Sequence, residues 1–163
     1  MVYLDICELW VAFPNLEKIY IKGVDNLKMI CYNQLVPDSF DKLQKLCVQK
    51  CEKLINIFPT NLLRRFQNLE DLEILCNSIE EVFEITGISV QETGDMVATE
   101  LRRLKLSRLS KFTHVWSLDP QAIFTFQNLC EIEVYHCKRL KSLFLALVAK
   151  SLVQLEMLHL HCR

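Results

Sequence analysis

The chain has 163 residues, nineteen Lys plus Arg against twenty Asp plus Glu, a net charge of −1, and a composition 51% hydrophobic and 24% charged. That apolar content excludes intrinsic disorder, and the near-neutral balance removes the global electrostatic ground for a nucleic-acid or anionic-membrane binder. The three glycines, Gly23, Gly87 and Gly94, are scattered and none precedes Lys-Ser/Thr, so no phosphate-cradling loop and no nucleotide cofactor is expected.

In chain order, residues 1–12 carry Asp5 and Glu8 but no basic side chain, unlike a secretory signal. Their Met1-Leu4-Ile6 spacing makes them a partial or atypical N-terminal repeat. From 13 to 163 the frame L-x-x-L-x-L, with Ile or Val allowed, occurs six times: Leu16-Ile19-Ile21, Leu43-Leu46-Val48, Leu69-Leu72-Ile74, Leu101-Leu104-Leu106, Leu129-Ile132-Val134 and Leu155-Leu158-Leu160. Successive starts lie 27, 26, 32, 28 and 26 residues apart, and the last copy is truncated. Repetition at such a period marks a solenoid.

Each column of the repeat has a physical role. The last two apolar residues of a frame are two apart, so they share one face of a short strand while the residues between them face away. Apolar or Cys positions follow at fixed offsets: Val24, Leu27, Ile30; Cys51, Leu54, Ile57; Leu109, Phe112, Val115; Cys137, Leu140, Leu143. The third copy slips by one residue, with Ile79 and Val82 after Cys76-Asn77. Before the frames, Phe13-Pro14-Asn15, Phe66-Gln67-Asn68 and Phe126-Gln127-Asn128 recur, and Phe40 takes the same place in the second copy.

Between frames, Phe58-Pro59-Thr60-Asn61 with Leu62-Leu63-Arg64-Arg65 and the stretch Ala146 to Leu152 read as short helical returns. The polar Glu84 to Glu100, holding Gly87 and Gly94, reads as an exposed loop. One unit cannot bury its own leucines, whereas stacked units can. The fold class is therefore α/β: a curved solenoid with a parallel concave sheet and short helices or irregular segments on the convex side. Solenoids need polar caps, and neither end carries one, so exposed apolar end faces that favour association are expected.

The longest apolar run, Leu143 to Ala149, is followed by Lys150 and is far short of the roughly 20 residues that span a bilayer. Eight cysteines without a secretory signal read as reduced thiols in a cytoplasmic protein. His136-Cys137 and His159-x-His161-Cys162 lie one repeat apart but lack the paired C-x-x-C or H-x-x-x-H spacing of zinc sites, so no metal is expected. Cys51 and Cys137 read as buried structural thiols. Cys47 and Cys130 fall on the exposed face within reach of His136 and His159, yet nothing supplies an oxyanion site or a group to orient a histidine, so no enzyme is expected. Trp116 reads as convex-side packing.

Residues between the framework leucines face the concave surface, where solenoids bind partners. Asp71 falls beside Arg103 and Glu73 beside Lys105, with Glu131 and Glu133 on the other flank. Two readings coexist: a lateral salt-bridge ladder on a solvated sheet, and a partner-binding stripe. The candidate protein-binding residues are Glu70, Asp71, Glu73, Arg102, Arg103, Lys105, Arg108, Glu131, Glu133, Tyr135 and His136.

Several phrases extend beyond the frame: Phe13-Pro14-Asn15-Leu16-Glu17-Lys18, Cys51-Glu52-Lys53-Leu54-Ile55-Asn56-Ile57-Phe58-Pro59, Ser78-Ile79-Glu80-Glu81-Val82-Phe83, His114-Val115-Trp116 leading to Asp119-Pro120-Gln121, and Cys137-Lys138-Arg139-Leu140-Lys141-Ser142-Leu143-Phe144. From Phe13 to Cys162 the chain resembles the leucine-rich-repeat region of plant coiled-coil, nucleotide-binding, leucine-rich-repeat disease-resistance proteins. The resemblance implies a leucine-rich-repeat horseshoe that contacts a pathogen effector or a guarded host protein and holds the nucleotide-binding domain of a parent receptor inactive. The alternatives are a leucine-rich substrate adaptor of a ubiquitin ligase and a generic protein-binding scaffold. The adaptor's Ile-Thr-Asp-like triplet after the Cys is replaced here by Leu-x-x-Ile or Leu-x-x-Leu, and no F-box-like segment precedes the array.

Overall fold

Alternating apolar side chains turn each frame into a strand, and the frames stack in sequence order. The computed structural model describes residues 13–30, 39–58, 65–83, 97–115, 124–143 and 146–162. Within them lie β1 (Lys18–Lys22), β2 (Lys45–Gln49), β3 (Asn56–Phe58), β4 (Asp71–Leu75), β5 (Glu81–Phe83), β6 (Val97–Ala98), β7 (Arg103–Ser107), β8 (Phe124–Thr125), β9 (Glu131–Tyr135), α1 (Ala146–Ser151) and β10 (Met157–His161). One parallel six-stranded sheet runs β1-β2-β4-β7-β9-β10. Its register holds frame against frame, with Ile19 beside Leu46, Leu46 beside Leu72, Leu72 beside Leu104, Leu104 beside Ile132 and Ile132 beside Leu158. This is the parallel solenoid that the spacing predicts, and the leucine-rich-repeat architecture that the resemblance implies.

Framework side chains on one face of that sheet form the core. Leu46, Val48, Leu72, Ile74, Leu104, Leu106, Ile132 and Val134 are all fully buried, whereas Leu158 and Leu160 on the edge strand β10 are 47% and 50% exposed. Each interior repeat thus removes two aliphatic side chains from water, worth about 1.5–3 kcal/mol apiece, because both flanks are covered by neighbours; β10 has only one such flank. The columns after the frame close the core from the other side: Cys51, Leu54, Ile57, Ile79, Val82, Leu109, Phe112 and Val115 are buried as well.

Backbone hydrogen bonds fasten successive repeats in two ways. The carbonyl of the residue after the first frame leucine accepts from two successive N–H groups of the next repeat, as Glu17 O does from Gln44 and Lys45, and Glu70 O from Arg102 and Arg103. At the turns that end β1, β2, β7 and β9, the N–H of Gly23, Lys50, Arg108 and His136 donates to Gln49 O, Leu75 O, Tyr135 O and His161 O respectively, at 2.7–3.0 Å. Aiming that N–H at the next strand requires the left-handed region, and these residues have φ of 68°, 55°, 56° and 55°. Only the first is the glycine that occupies this region without strain. In the third copy, whose turn is one residue shorter, Cys76 takes the position, is buried, and is absent from the positive-φ set.

The phenylalanines that precede the frames form an internal stack. Phe13 and Phe40 lie 6.0 Å apart between centroids at 13°, Phe40 and Phe66 6.2 Å apart at 19°, and Phe58 tilts against Phe66 at 4.6 Å. Asn68 and Asn128, at the same offset in their copies, each donate from Nδ2 to a backbone carbonyl of the preceding repeat, those of Asp41 and Thr99.

The return segments depart from expectation in part. They form two pairs of short parallel strands, β3 with β5 and β6 with β8, because successive returns run side by side like the frames that precede them. Among the described residues the α-helix is α1, which carries Lys150 in its last turn, where a cation favours the helix dipole. The helical return expected around residues 58–65 lies mostly outside the described residues; Arg65 and Phe66 form a single tight turn. The exposed loop expected from Glu84 to Glu100 is corrected at its end: Val97–Ala98 is strand β6, and Thr99 is buried with its Oγ1 donating to Thr125 O at 3.0 Å. Residues 84–96 of that loop, the partial repeat of residues 1–12 and Trp116 lie outside the described residues.

Candidate protein-binding surface

Side chains opposite the core face form three rows across the sheet. The first row is Lys18, Lys45, Asp71, Arg103, Glu131, Met157; the second is Tyr20, Cys47, Glu73, Lys105, Glu133, His159; the third is Lys22, Gln49, Leu75, Ser107, Tyr135, His161. Strand spacing of about 4.8 Å brings neighbours in a row within reach of one another.

In the first row Asp71 is held from both sides. Its Oδ2 accepts from Lys45 Nζ at 2.8 Å and from Arg103 at 3.0 Å, and only 13% of the Asp71 side chain is exposed. The hydrogen bond to Asp71 raises the Lys45 pKa above its usual value. In the second row Lys105 reaches Glu133 at 3.0 Å, and that bond lowers the Glu133 carboxyl while raising the Lys105 ammonium. Glu73, on the other side of Lys105, accepts instead from Gln49 Nε2 at 3.3 Å.

Aromatic groups continue the surface toward β10. Tyr135 Oη lies 3.1 Å from His159 Nδ1 with the rings edge-on at 5.0 Å, and Lys105 Nζ sits 5.8 Å from the Tyr135 ring centroid. His136 and His161 meet edge-on at 5.7 Å. Arg102, Arg103, Lys105, Arg108 and His136 are exposed; Glu70, Asp71, Glu73, Glu131, Glu133 and Tyr135 are half-buried. Asp71 and Arg103 thus belong to one contact group and Lys105, Glu133 and Tyr135 to a second, with Glu73 and Glu131 beside them in the register. Glu70 and Arg102 belong to the frame-edge column whose carbonyls fasten the repeats, and Arg108 and His136 to the strand-ending turns.

Sequence reasoning missed Lys45, the second cation on Asp71, because the pairing was read only between the third, fourth and fifth repeats. It also missed the turn column of Gly23, Lys50, Arg108 and His136, although a glycine at a fixed offset from its frame was the visible signal of a positive φ.

Cysteines occupy two environments. Cys76 and Cys137 are buried with thiols pushed up to about 11 by desolvation, and Cys137 Sγ points at Tyr135 O at 3.4 Å. Cys51, in the same column, is also buried, as its inward position predicts. Cys47, expected on the exposed face, is 6% exposed and its thiol is raised by burial. Its short side chain sinks between the longer Lys45 and Gln49, whose Nε2 lies 3.4 Å from the sulfur, which removes it as a nucleophile candidate. Among the described residues, no group of three or more His, Cys, Asp or Glu side chains is placed to hold a metal.

A parallel sheet whose core face is leucine and whose open face is a charged, aromatic-edged ladder defines a leucine-rich-repeat interaction module. Residues 12–163 match the family of RPS2-like plant disease resistance protein leucine-rich repeats, and the chain belongs to that family. It is 26% identical, over 133 residues, to the probable disease resistance protein At4g27220 of Arabidopsis thaliana. That stretch is 80% of this chain and 14% of the relative. No solved structure matches it. No helix among the described residues is long and apolar enough to cross a membrane.

Proposed function

We propose that the chain is a non-catalytic, cytoplasmic protein-recognition segment of a plant immune receptor. It engages a pathogen effector or a guarded host protein, and restrains the nucleotide-binding part of the parent receptor until that contact is made. The observation that carries the reading is the open face of the sheet, where cations and carboxylates form a ladder in a family of disease-resistance repeats. Ion pairs on a solvated sheet stabilise it only slightly, about 0.2–1 kcal/mol each, which leaves their geometry available for recognition. The ubiquitin-ligase adaptor has no comparable support.

Arg102 is the sharpest probe, since its side chain is exposed and makes no ion pair among the described residues. In a full-length parent receptor, Arg102→Glu is expected to change partner binding or resting cell-death activity while the circular dichroism of this segment stays that of the wild type. A receptor whose binding and resting activity are unchanged by Arg102→Glu and by Arg103→Glu would remove the recognition role from this face.

A further inference from the structure

The rim where the strands end differs in charge from the open face. Its turn segments, residues 22–30, 49–56, 75–81, 107–113 and 135–142, carry nine Lys and Arg side chains, all exposed, against four carboxylates. In the middle of this rim lies an open groove of about 330 Å3, lined by Gly23, Lys50, Leu75, Asn77 and Arg108 with the carboxylates Asp25 and Glu52.

The shortened third turn makes the groove. In neighbouring repeats the left-handed position carries an outward side chain, Lys50 before and Arg108 after, whereas in the third repeat the same offset is the buried Cys76. A gap one repeat wide is left between the two cations, with half-buried Leu75 beneath it. Lys50 and Arg108 each donate their backbone N–H to the next strand at 2.8 and 2.9 Å, so both side chains start from fixed points. Neither makes a side-chain ion pair or hydrogen bond among the described residues. Glu52 lies 3.4 Å from Asn77 Nδ2, while Asp25 has no such partner among the described residues.

We propose that this groove, within its basic rim, docks an acidic peptide segment of a protein partner, a carboxylate lying between Lys50 and Arg108 and an apolar side chain resting on Leu75. Charge-assisted hydrogen bonds from cations with anchored backbones lose less to ordering than those from mobile loops. Polyanionic duplexes and anionic membranes fit less well, because Asp25 and Glu52 interrupt the positive strip and the chain as a whole has a charge of −1. The site uses none of the ion-paired side chains of the open face, although Leu75 stands in that face's third row and Arg108 among the candidate binding residues, and its peptide test is read independently of the recognition role proposed there.

The test is fluorescence anisotropy with the wild-type chain and short labelled peptides of alternating Leu and Glu, or Leu and Gln, at two salt concentrations. The Glu peptide is expected to bind at least about tenfold tighter than the Gln peptide, with the preference shrinking in high salt. Lys50→Asn with Arg108→Asn, which keeps residues tolerant of a positive φ, is expected to abolish the preference with unchanged circular dichroism. Asp25→Asn leaves the strained turn positions alone and is expected to tighten the Glu peptide, whatever the double variant does to folding. Equal affinity for the two peptides, full binding by a folded double variant, or weaker binding by Asp25→Asn overturns the proposal. So does tighter binding of a short DNA duplex or of phosphatidylserine vesicles than of the Glu peptide.

Discussion

Lys105 turns its ammonium to Glu133 at 3.0 Å, although the register places Glu73 equally beside it on the other strand. Arg103, two residues earlier on β7, turns the opposite way, to Asp71 on β4. The two cations of one strand thus tie it to both neighbours. Glu73 is released to Gln49, which draws β2 and β4 together one row further along.

The Lys105–Glu133 pair sets a pH window. The Glu133 pKa is lowered from 4.5 by the bond from Lys105, so its contribution is complete above the ordinary carboxylate value and is lost as pH falls through the lower folded value. The Lys105 pKa is raised from 10.5, so its contribution is complete below that value and is lost as pH rises through the higher folded one. Glu133→Gln is expected to cost about 0.2–1 kcal/mol in urea unfolding at neutral pH, the Lys105 side chain being 45% exposed. The cost should shrink toward zero in strong acid. An equal cost at both pH values would show that the pair is not its source.

Asp71 should matter more than Glu133, because one shielded carboxylate serves two cations. Asp71→Asn is expected to destabilise by about 1–2 kcal/mol and to weaken the salt dependence of unfolding. The comparison that decides is the double variant with Lys45→Met. If Asp71 and Lys45 act independently, their costs add; if the ion pair is real, the second substitution costs little once the first is made.

Much of this was legible in the sequence because the repeat over-determines it. A spacing of 26–32 residues with apolar positions two apart yields both the parallel register and the rows of the open face without knowledge of any contact. What the spacing does not carry is choice among equals. Lys105 has a carboxylate on either side, and only rotamers and the competing amide of Gln49 decide between Glu133 and Glu73. Burial by neighbours escaped likewise: Cys47 sits at an outward position and is covered because Lys45 and Gln49 are longer than it is. The end of the loop at Val97–Ala98 was hidden by polar composition, although its pairing with Phe124–Thr125 repeats the logic of the frames.

Core substitutions should grade with position along the solenoid. Leu72 is fully buried between covered neighbours, so Leu72→Ala is expected to cost about 2–5 kcal/mol. Leu160, 50% exposed on the edge strand, should cost well under half of that when replaced by Ala. Thermal or urea melts of the two variants test the gradient, and equal losses would mean that β10 is covered in solution.

The same edge should govern association. Leu158, Leu160 and Val153 are exposed together, and the outer edge of β10 has no partner strand in the six-stranded sheet, a combination that favours pairing with another chain. Replacing Leu158 and Leu160 with Lys should lower the apparent mass in light scattering at equal concentration. Unchanged mass would place any association elsewhere.

The last prediction concerns the strained turns. Lys50 holds φ of 55° so that its N–H can meet Leu75 O at 2.8 Å. A β-branched residue resists that region most strongly, so Lys50→Val is expected to destabilise by about 1–3 kcal/mol. Lys50→Gly removes the strain but loosens the unfolded chain, and these effects oppose each other to within about 1 kcal/mol. Lys28→Val, at an exposed turn residue outside the positive-φ set, controls for loss of charge and side-chain volume. If Lys50→Val costs no more than Lys28→Val, the positive φ imposes no penalty and the turn must open by another route. A cost confined to Lys50→Val, with Lys50→Gly near the wild type, assigns the penalty to the backbone, and the same ordering should hold at Arg108.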